Sequence, residues 1–232
     1  MEALKKGLKD FSIEPTENLL QQFCTYEKML ADWNSRMNLT AITSHNEVIS
    51  KHFVDSVACQ GLIPTKARVA DVGTGAGFPG LPLAMVRPDI AVTLMDALAK
   101  RISFLDAVIQ ELKIENVDTV HIRAEDAGQD KAHREQYDVV CARAVANLSV
   151  LSEYCLPLVK PGGIFLALKG REAAEEAKNA EKAIKILGGS VLEIREVFWE
   201  NLEHRVVMIQ KKQHTPAPYP RKAGKPQKSP LS

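Results

Sequence analysis

A chain of 232 residues is long enough for one α/β domain with an added segment and short for two independent domains. Hydrophobic residues make up 45% and charged residues 25%, an ordinary globular mix, and no run approaches the ~20 apolar residues of a membrane span. The net charge of +1 hides an asymmetry: residues 211–232 hold six basic and no acidic residues, and taking those six from 30 leaves 24 against 29 acidic ones, a body near −5.

The opening MEALKKGLKD lacks the apolar core of a signal peptide, which predicts a cytoplasmic protein. Cys24, Cys59, Cys141 and Cys155 form no Cys-x-x-Cys pair and read as reduced, buried thiols; no metal site is expected. Nothing in the pattern suggests an extended apolar interface, so a monomer is expected.

Pro15 and Thr16 mark the start of a long helix whose apolar stripe is Leu19, Phe23, Tyr26, Leu30, Trp33 and Met37. Residues 38–43 form a connector. Ser44 and Glu47 fit a capping box, and a second helix follows with Val48, Ile49, Phe53 and Val57 inward. From Arg68 onward short apolar runs alternate with amphipathic helices. The runs are 68–72, 91–95, 117–122, 137–142 and 163–168; the helices are 80–86, 99–112, 148–156 and 172–187. Continuous apolar runs indicate strands buried on both faces, hence a mostly parallel sheet. Runs 190–199 and 205–211 have no clear helix between them and are expected to pair antiparallel through a hairpin at 200–204.

These elements predict a Rossmann-like α/β fold with a mostly parallel seven-stranded sheet, an antiparallel last strand and an N-terminal helical extension. An antiparallel ending fits the methyltransferase version of this architecture better than the dehydrogenase version. The expected partition is 1–62 helical extension, 63–212 methyltransferase domain and 213–232 basic, Pro-rich tail. The tail has five prolines and no regular structure of its own is expected there; it reads either as one contact with a polyanion or as a solubilising disordered end.

The most informative segment runs from Asp71 to Gly80, after the first buried strand and at the head of a helix. Gly75, Gly77 and Gly80 match a dinucleotide fingerprint, but that match alone is weak. Asp71, just before the loop, would repel a pyrophosphate and suits a cationic ligand such as a sulfonium amino acid, directly or through water. Asp96 ends the second strand, where a carboxylate accepts from ribose hydroxyls, a feature shared with NAD sites. Ala124, Glu125 and Asp126 follow the third strand, where polar groups would meet an adenine edge.

On these residues and several further segments the chain resembles the RsmG (GidB) family, bacterial methyltransferases acting on guanine N7 of small-subunit ribosomal RNA. The matching pieces are residues 38–43, the segment Lys51 to Ser56 containing His52 and Asp55, the glycine loop, Asp96 to Arg101, Arg123 to Asp126, Cys141 to Leu148, Ala167 to Gly170 and Tyr219 to Gly224. The resemblance implies S-adenosylmethionine as cofactor, with contacts at Gly73, Phe78, Ala124, Glu125 and Arg143, beside Asp71, Gly75 and Asp96 from the loop and strand ends. It implies 16S ribosomal RNA as partner, free or within the small subunit or its precursor. The other reading is an S-adenosylmethionine-dependent methyltransferase of another RNA or of a small molecule.

Guanine N7 carries an in-plane lone pair and loses no proton on methylation, so no general base and no catalytic residue in that sense is expected; alignment does the work. Arg123, Lys169, Arg205, His52 and Lys222 are the candidate substrate or RNA contacts. Arg123, Lys169 and Arg205 stand at strand ends, where ligands of open α/β sheets bind. His52 and Asp55 share a helix face and either line the pocket or serve helix packing. Trp33 and Trp199 read as core anchors.

Overall fold

The computed structural model describes residues 1–143, 146–200 and 202–231. It opens with a helix that the sequence pattern did not announce, α1 (Glu2–Asp10), which buries Leu4, Gly7 and Leu8 among three lysines. Helix α2 (Glu17–Met37) starts where expected: Thr16 Oγ1 accepts from Leu19 N at 3.2 Å, satisfying one of the free amides of the first turn. It ends at Asn38, which takes a left-handed conformation. Its stripe lies inward, with Phe23, Tyr26 and Leu30 buried and Trp33 half-buried.

The next helical stretch is α3 (His45–Glu47), a π-helical segment (Val48–Val54) and α4 (Asp55–Val57). The capping box expected at its start does not form. The Ser44 hydroxyl instead donates to Glu47 Oε2 at 2.9 Å, and Lys51 holds the other oxygen at 2.6 Å, so neither side chain reaches a backbone amide. Val48, Ile49, Phe53 and Val57 are buried as expected.

Strands β1 (Arg68–Val72), β2 (Ala91–Asp96) and β3 (Val117–His121) are joined through α5 (Gly80–Val86) and α6 (Ala99–Leu112). After α7 (Ala124–Ala127) come β4 (Tyr137–Arg143), α8 (Leu148–Cys155), β5 (Val159–Lys169) and α9 (Ala173–Ile186). β6 (Gly189–Trp199) and β7 (Leu202–Lys211) complete a seven-stranded sheet of order β3-β2-β1-β4-β5-β7-β6. The first five strands pair in parallel, and β7 runs antiparallel to both β5 and β6. A connection too short for a crossover can only form a hairpin. The hairpin is tighter than expected: Glu203 and His204 already pair with Phe198 and Val197, and Asn201 of the expected turn lies outside the described residues. Residues 160–163 of β5 bulge out of the pairing with β4, with Tyr137 opposite Val159 and then Val139 opposite Ile164.

Two apolar layers sandwich the sheet. One face, through Val69, Leu94, Val139 and Leu166, packs on α1, α2, the π-helical segment, α5 and α6 in a single cluster. Residues 1–62 therefore share the core of the sheet. The other face, through Ala70, Val140, Phe165 and Val207, packs on α8 and α9. Among the described residues no helix is long and apolar enough to cross a membrane. All four cysteines are free thiols, Cys24 half-buried and the others buried.

The tail, for which no regular structure of its own was expected, is ordered against the rest of the chain. Residues 213–231 fold back over α7 and α8 and include a short helix, α10 (Lys225–Lys228). Proline lacks a backbone donor, but this segment's carbonyls find donors elsewhere. The Arg134 guanidinium donates to Thr215 O and Tyr219 O, each at 2.7 Å, and Gln129 donates to Pro220 O at 2.9 Å. Lys211, counted with the tail cations, is fully buried on Thr215 Oγ1 at 2.7 Å and Glu135 at 3.2 Å, and burial pushes its ammonium down to about 8.

Candidate active site

After Val72 the chain turns through three glycines of positive φ: Gly73 at 68°, Gly75 at 63° and Gly77 at 102°. At Gly77 a Cβ would in addition meet the Tyr26 hydroxyl, and Leu105 Cδ2 at 2.9 Å. The loop is pinned from several sides. Gly73 N and Thr74 N donate to Met95 O at 2.9 and 3.1 Å, and the buried Tyr26 hydroxyl donates to Ala76 O. Beneath the loop, Asp71 Oδ2 accepts from Thr74 Oγ1 at 2.7 Å and Gly80 N at 2.8 Å, joining the two ends of the turn. Its Oδ1 is buried without a partner among the described residues. Burial pushes the Asp71 carboxyl up to about 6 against the pull of those two bonds.

Above the ends of β1 to β4 lies a cavity of about 610 Å³, within the range of small-molecule sites. β1 and β4 are adjacent but their connections leave in opposite directions, which is the switch point where such sheets bind ligands. Gly73, Gly75, Phe78, Asp96, Ala124, Glu125 and Arg143 all line it, as do Arg123 and His52. Asp71 does not. Its carboxylate organises the loop from below and is not exposed to the cavity. Asp96 is 3% exposed and accepts from Gly75 N at 3.0 Å, Leu98 N at 2.9 Å and Arg101 Nη1 at 3.1 Å. Glu125 Oε1 accepts from Gly224 N at 2.9 Å.

His52, Asp55 and Arg143 converge on the wall of this cavity. The Arg143 guanidinium donates to Asp55 Oδ2 at 2.8 Å, to Lys51 O at 2.8 Å and to His52 Nδ1 at 3.1 Å. Since a guanidinium only donates, Nδ1 is the acceptor and the imidazole proton sits on Nε2, donating to Thr40 Oγ1 at 3.0 Å. Burial, and then the Arg143 charge, lower His52 to about 4, so the ring is neutral at pH 7. Phe78 stacks on the His52 ring at 4.3 Å and 12°, and the Arg143 Cζ lies 5.2 Å from the Phe78 centroid. Phe78 thus packs between the His52 ring and the Arg143 guanidinium. The π-helical segment carries His52 and α4 begins with Asp55, both bonded to Arg143; π turns recur at functional sites.

A second cavity of about 540 Å³ shares His52 and Arg143 and extends over Asp55, Lys169, Glu176 and His204. Two of the expected RNA contacts are committed elsewhere. Lys169 Nζ donates to Ala146 O at 2.6 Å and Glu176 Oε2 at 2.7 Å, although it lines this second cavity. Arg205 lines neither cavity and donates to Glu196 Oε1 at 2.9 Å and to Arg171 O. Lys222 is exposed and lies two residues from Gly224, which lines the first cavity. Ala144 and Val145 of the segment after Arg143 lie outside the described residues, as does Ser232 at the end of the tail. Sequence reasoning missed Tyr154 and His204, and left Thr40 and Leu98 of recognised segments without a role. Arg101 and Gly224 stood in recognised segments without an assigned role, whereas Tyr154 and His204 carried no local signal.

A dinucleotide-binding sheet continues in parallel past its fifth strand, whereas here β7 is inserted antiparallel between β5 and β6. Asp71, buried directly under the glycine loop, sets a carboxylate where a pyrophosphate would be repelled and a cation favoured, whereas Asp96 on the cavity wall suits either kind of ligand. The open space around Gly75, whose nearest neighbour to a would-be Cβ is Gly73 O at 4.0 Å, leaves room for such a ligand against the backbone. The class these features define is the S-adenosylmethionine-dependent methyltransferase.

Solved structures agree in fold. M. jannaschii TYW2 in complex with AdoMet matches with a TM-score of 0.56 and 14% identity, covering 74% of this chain and 79% of that one. A SAM-dependent methyltransferase from Aquifex aeolicus matches at 0.54 and 18%, covering 72% and 93%. Sequence relatives are much nearer. A ribosomal RNA small subunit methyltransferase G from Desulforamulus reducens is 50% identical over 233 residues, covering 99% of this chain and 97% of its own length. One of the same name from Alkaliphilus metalliredigens is 47% identical over 232 residues, covering 98% and 97%. Residues 19–205 match the GidB family model, described as rRNA small subunit methyltransferase G, and the chain belongs to that family.

Proposed function

We propose that this protein transfers a methyl group from S-adenosylmethionine to N7 of a specific guanosine in 16S ribosomal RNA, without a general base, acting in the cytoplasm on free RNA, the small subunit or its precursor. The observation that carries this reading is the state of His52. It is the one imidazole lining the cavity among the described residues, and both its nitrogens are engaged, Nδ1 by Arg143 and Nε2 by Thr40. Lowered to about 4, it has little capacity to hold an abstracted proton. His204, over the second cavity, is raised by its bond to Asp55 and so resists giving up its proton. Such surroundings suit a nucleophile that has no proton to lose, and a ring nitrogen with an in-plane lone pair is one.

Bound S-adenosylmethionine supplies an electrophilic methyl carbon on a cationic sulfur, so positive charge passes from one partner to the other and none is created. The chain's own part is to position and to exclude water. Gly73 and Gly75 offer backbone without side chains, Asp96 offers a carboxylate at the end of β2, and Ala124 with Glu125 forms the far wall. The neutral His52 ring and Phe78 form a stacked pair on the wall of the first cavity, with Arg143 held by Asp55 so that it does not occupy a nucleophile's ring nitrogen. Exposed Arg123 and Lys222 suit phosphate contacts, which position an RNA without reading its sequence.

The test is methyl transfer from tritiated S-adenosylmethionine to small subunits, and to their naked RNA, from a strain lacking the activity, with aniline cleavage to locate 7-methylguanosine. One labelled guanosine in 16S RNA is the expected outcome. Label elsewhere, or on another atom, overturns the N7 assignment.

A further inference from the structure

Cavity wall and cationic surface meet in one short segment, and we infer that residues 219–228 form a strap coupling retention of the cofactor to docking of RNA phosphates. This rests on the RNA reading above and adds a coupling that the reading does not require.

Gly224 lines the cofactor cavity, and its amide donates to Glu125 Oε1 at 2.9 Å, so the strap closes the side of the cavity formed by α7. Lys222 and Lys225 flank Gly224, and Lys228 follows three residues later on α10. All three are exposed. So is Arg123, which lines the same cavity. None of the four forms a salt bridge among the described residues, unlike Arg221 and Lys211 nearby. Separate, solvated cations along a curved segment match a chain of phosphates, each neutralised singly, better than a single compact anion.

The strap is seated by groups that cannot shift cheaply. Arg221 donates to Glu153 from Nε at 2.9 Å and Nη2 at 2.6 Å, and its own amide donates to the same carboxylate at 2.8 Å. The Glu153 side chain has no exposure to solvent. Pro220 packs on Gly128, where a Cβ would come within 2.6 Å of the proline ring. These anchors lie on α8 and just after α7, the elements that carry Tyr154 and Glu125 to the cavity. Seated, the strap presents the cavity wall on one side and the lysines on the other; loosened, it presents neither. A ligand that favours the seated state from one side therefore favours binding on the other, and the coupling is reciprocal.

The experiment uses the full chain, a labelled fragment of small-subunit ribosomal RNA and S-adenosylhomocysteine. RNA affinity is measured by fluorescence anisotropy with and without S-adenosylhomocysteine over a range of salt, and S-adenosylhomocysteine affinity by calorimetry with and without RNA. Saturating S-adenosylhomocysteine is expected to tighten RNA binding about fivefold or more, and RNA to tighten S-adenosylhomocysteine binding by the same factor. Lys222→Ala/Lys225→Ala/Lys228→Ala is expected to flatten the salt slope by about 2 and to remove the coupling. Arg221→Met/Glu153→Gln, which frees the strap while leaving no buried charge alone, is expected to weaken both ligands and cut the coupling below twofold. RNA affinity that ignores S-adenosylhomocysteine, in a protein that still methylates the RNA, overturns the strap and leaves the functional reading intact. No RNA binding by the unmodified protein overturns both. If Arg221→Met/Glu153→Gln does not fold, the lysine variant decides alone: full coupling retained in it overturns the strap.

Discussion

Arg143 at the end of β4 is bonded to Asp55 Oδ2 at 2.8 Å, a pair that joins the sheet to the N-terminal helical layer across 88 residues of chain. Their side chains are 15% and 3% exposed, and the other oxygen of Asp55 takes the His204 imidazole from β7. One carboxylate therefore ties three elements together at the wall between the two cavities.

Removing one partner of a buried ion pair costs about 3–5 kcal/mol because the other charge is left without compensation. Asp55→Ala is expected to lower stability by roughly 3 kcal/mol in urea denaturation and to weaken S-adenosylhomocysteine binding. Asp55→Asn combined with Arg143→Met, which removes both charges of this pair and leaves only the partly exposed His204 without its carboxylate, should recover most of the stability but not the binding. A loss below about 1 kcal/mol for Asp55→Ala means the pair is solvated in solution.

Asp71 and His52 make opposite pH demands. Asp71 has a folded pKa raised to about 6, so between about 4 and 6 the unfolded chain has released a proton that the folded one keeps, and stability falls as pH rises. His52 has a folded pKa lowered to about 4, so between about 4 and 6.5 the unfolded chain holds the proton, and stability rises with pH. Each amounts to about 3 kcal/mol, and the two nearly cancel in the unmodified protein. Melts from pH 4 to 7 should show stability rising with pH in Asp71→Asn and falling in His52→Gln. Parallel profiles in the two variants would sink this account.

The loop glycines divide into two kinds. Gly75→Ala meets open space but must hold a φ of 63°, so it should cost about 1–2 kcal/mol and carry its methyl toward the ligand. Cofactor affinity should then fall on the order of tenfold, while the melting temperature drops by only about 2–8 °C. In Gly77→Ala the methyl meets the Tyr26 hydroxyl and Leu105, displacing α2 and α6, and stability should fall further than in Gly75→Ala. Thermal melts and calorimetry with S-adenosylhomocysteine separate the two effects.

Arg123 and Arg205 offer a comparison within the proposed RNA surface. Arg123 is exposed on the cavity rim, and Arg205 is tied to Glu196 and Arg171 O. Arg123→Ala should reduce the salt slope of RNA binding by about 0.7, and Arg205→Ala should leave it unchanged. Equal slopes for the two variants would place Arg205 back among the RNA contacts.

Much of this was already present in the order of residues. The apolar runs and their alternation determined the strands, because a strand buried on both faces is mostly apolar; β1, α5 and α6 lie at the expected residues, and the one buried polar residue of β1, Asp71, stands at the loop. The glycine loop, Asp96 and Ala124–Glu125 were also readable locally, since each follows a strand end and strand ends converge on the switch point. What the tertiary structure alone decided is where long-range charges are spent. Asp71 lies under the loop because Gly80 N and Thr74 Oγ1 claim it, and Arg205 is lost to β6 because the hairpin register sets it opposite Glu196. The tail reads as disorder in composition because its prolines lack donors; it is ordered because Arg134, Gln129 and Glu153, 68 to 91 residues away, supply the missing bonds. Composition reports a segment's own hydrogen-bonding capacity, and only the fold reveals the partners that complete it.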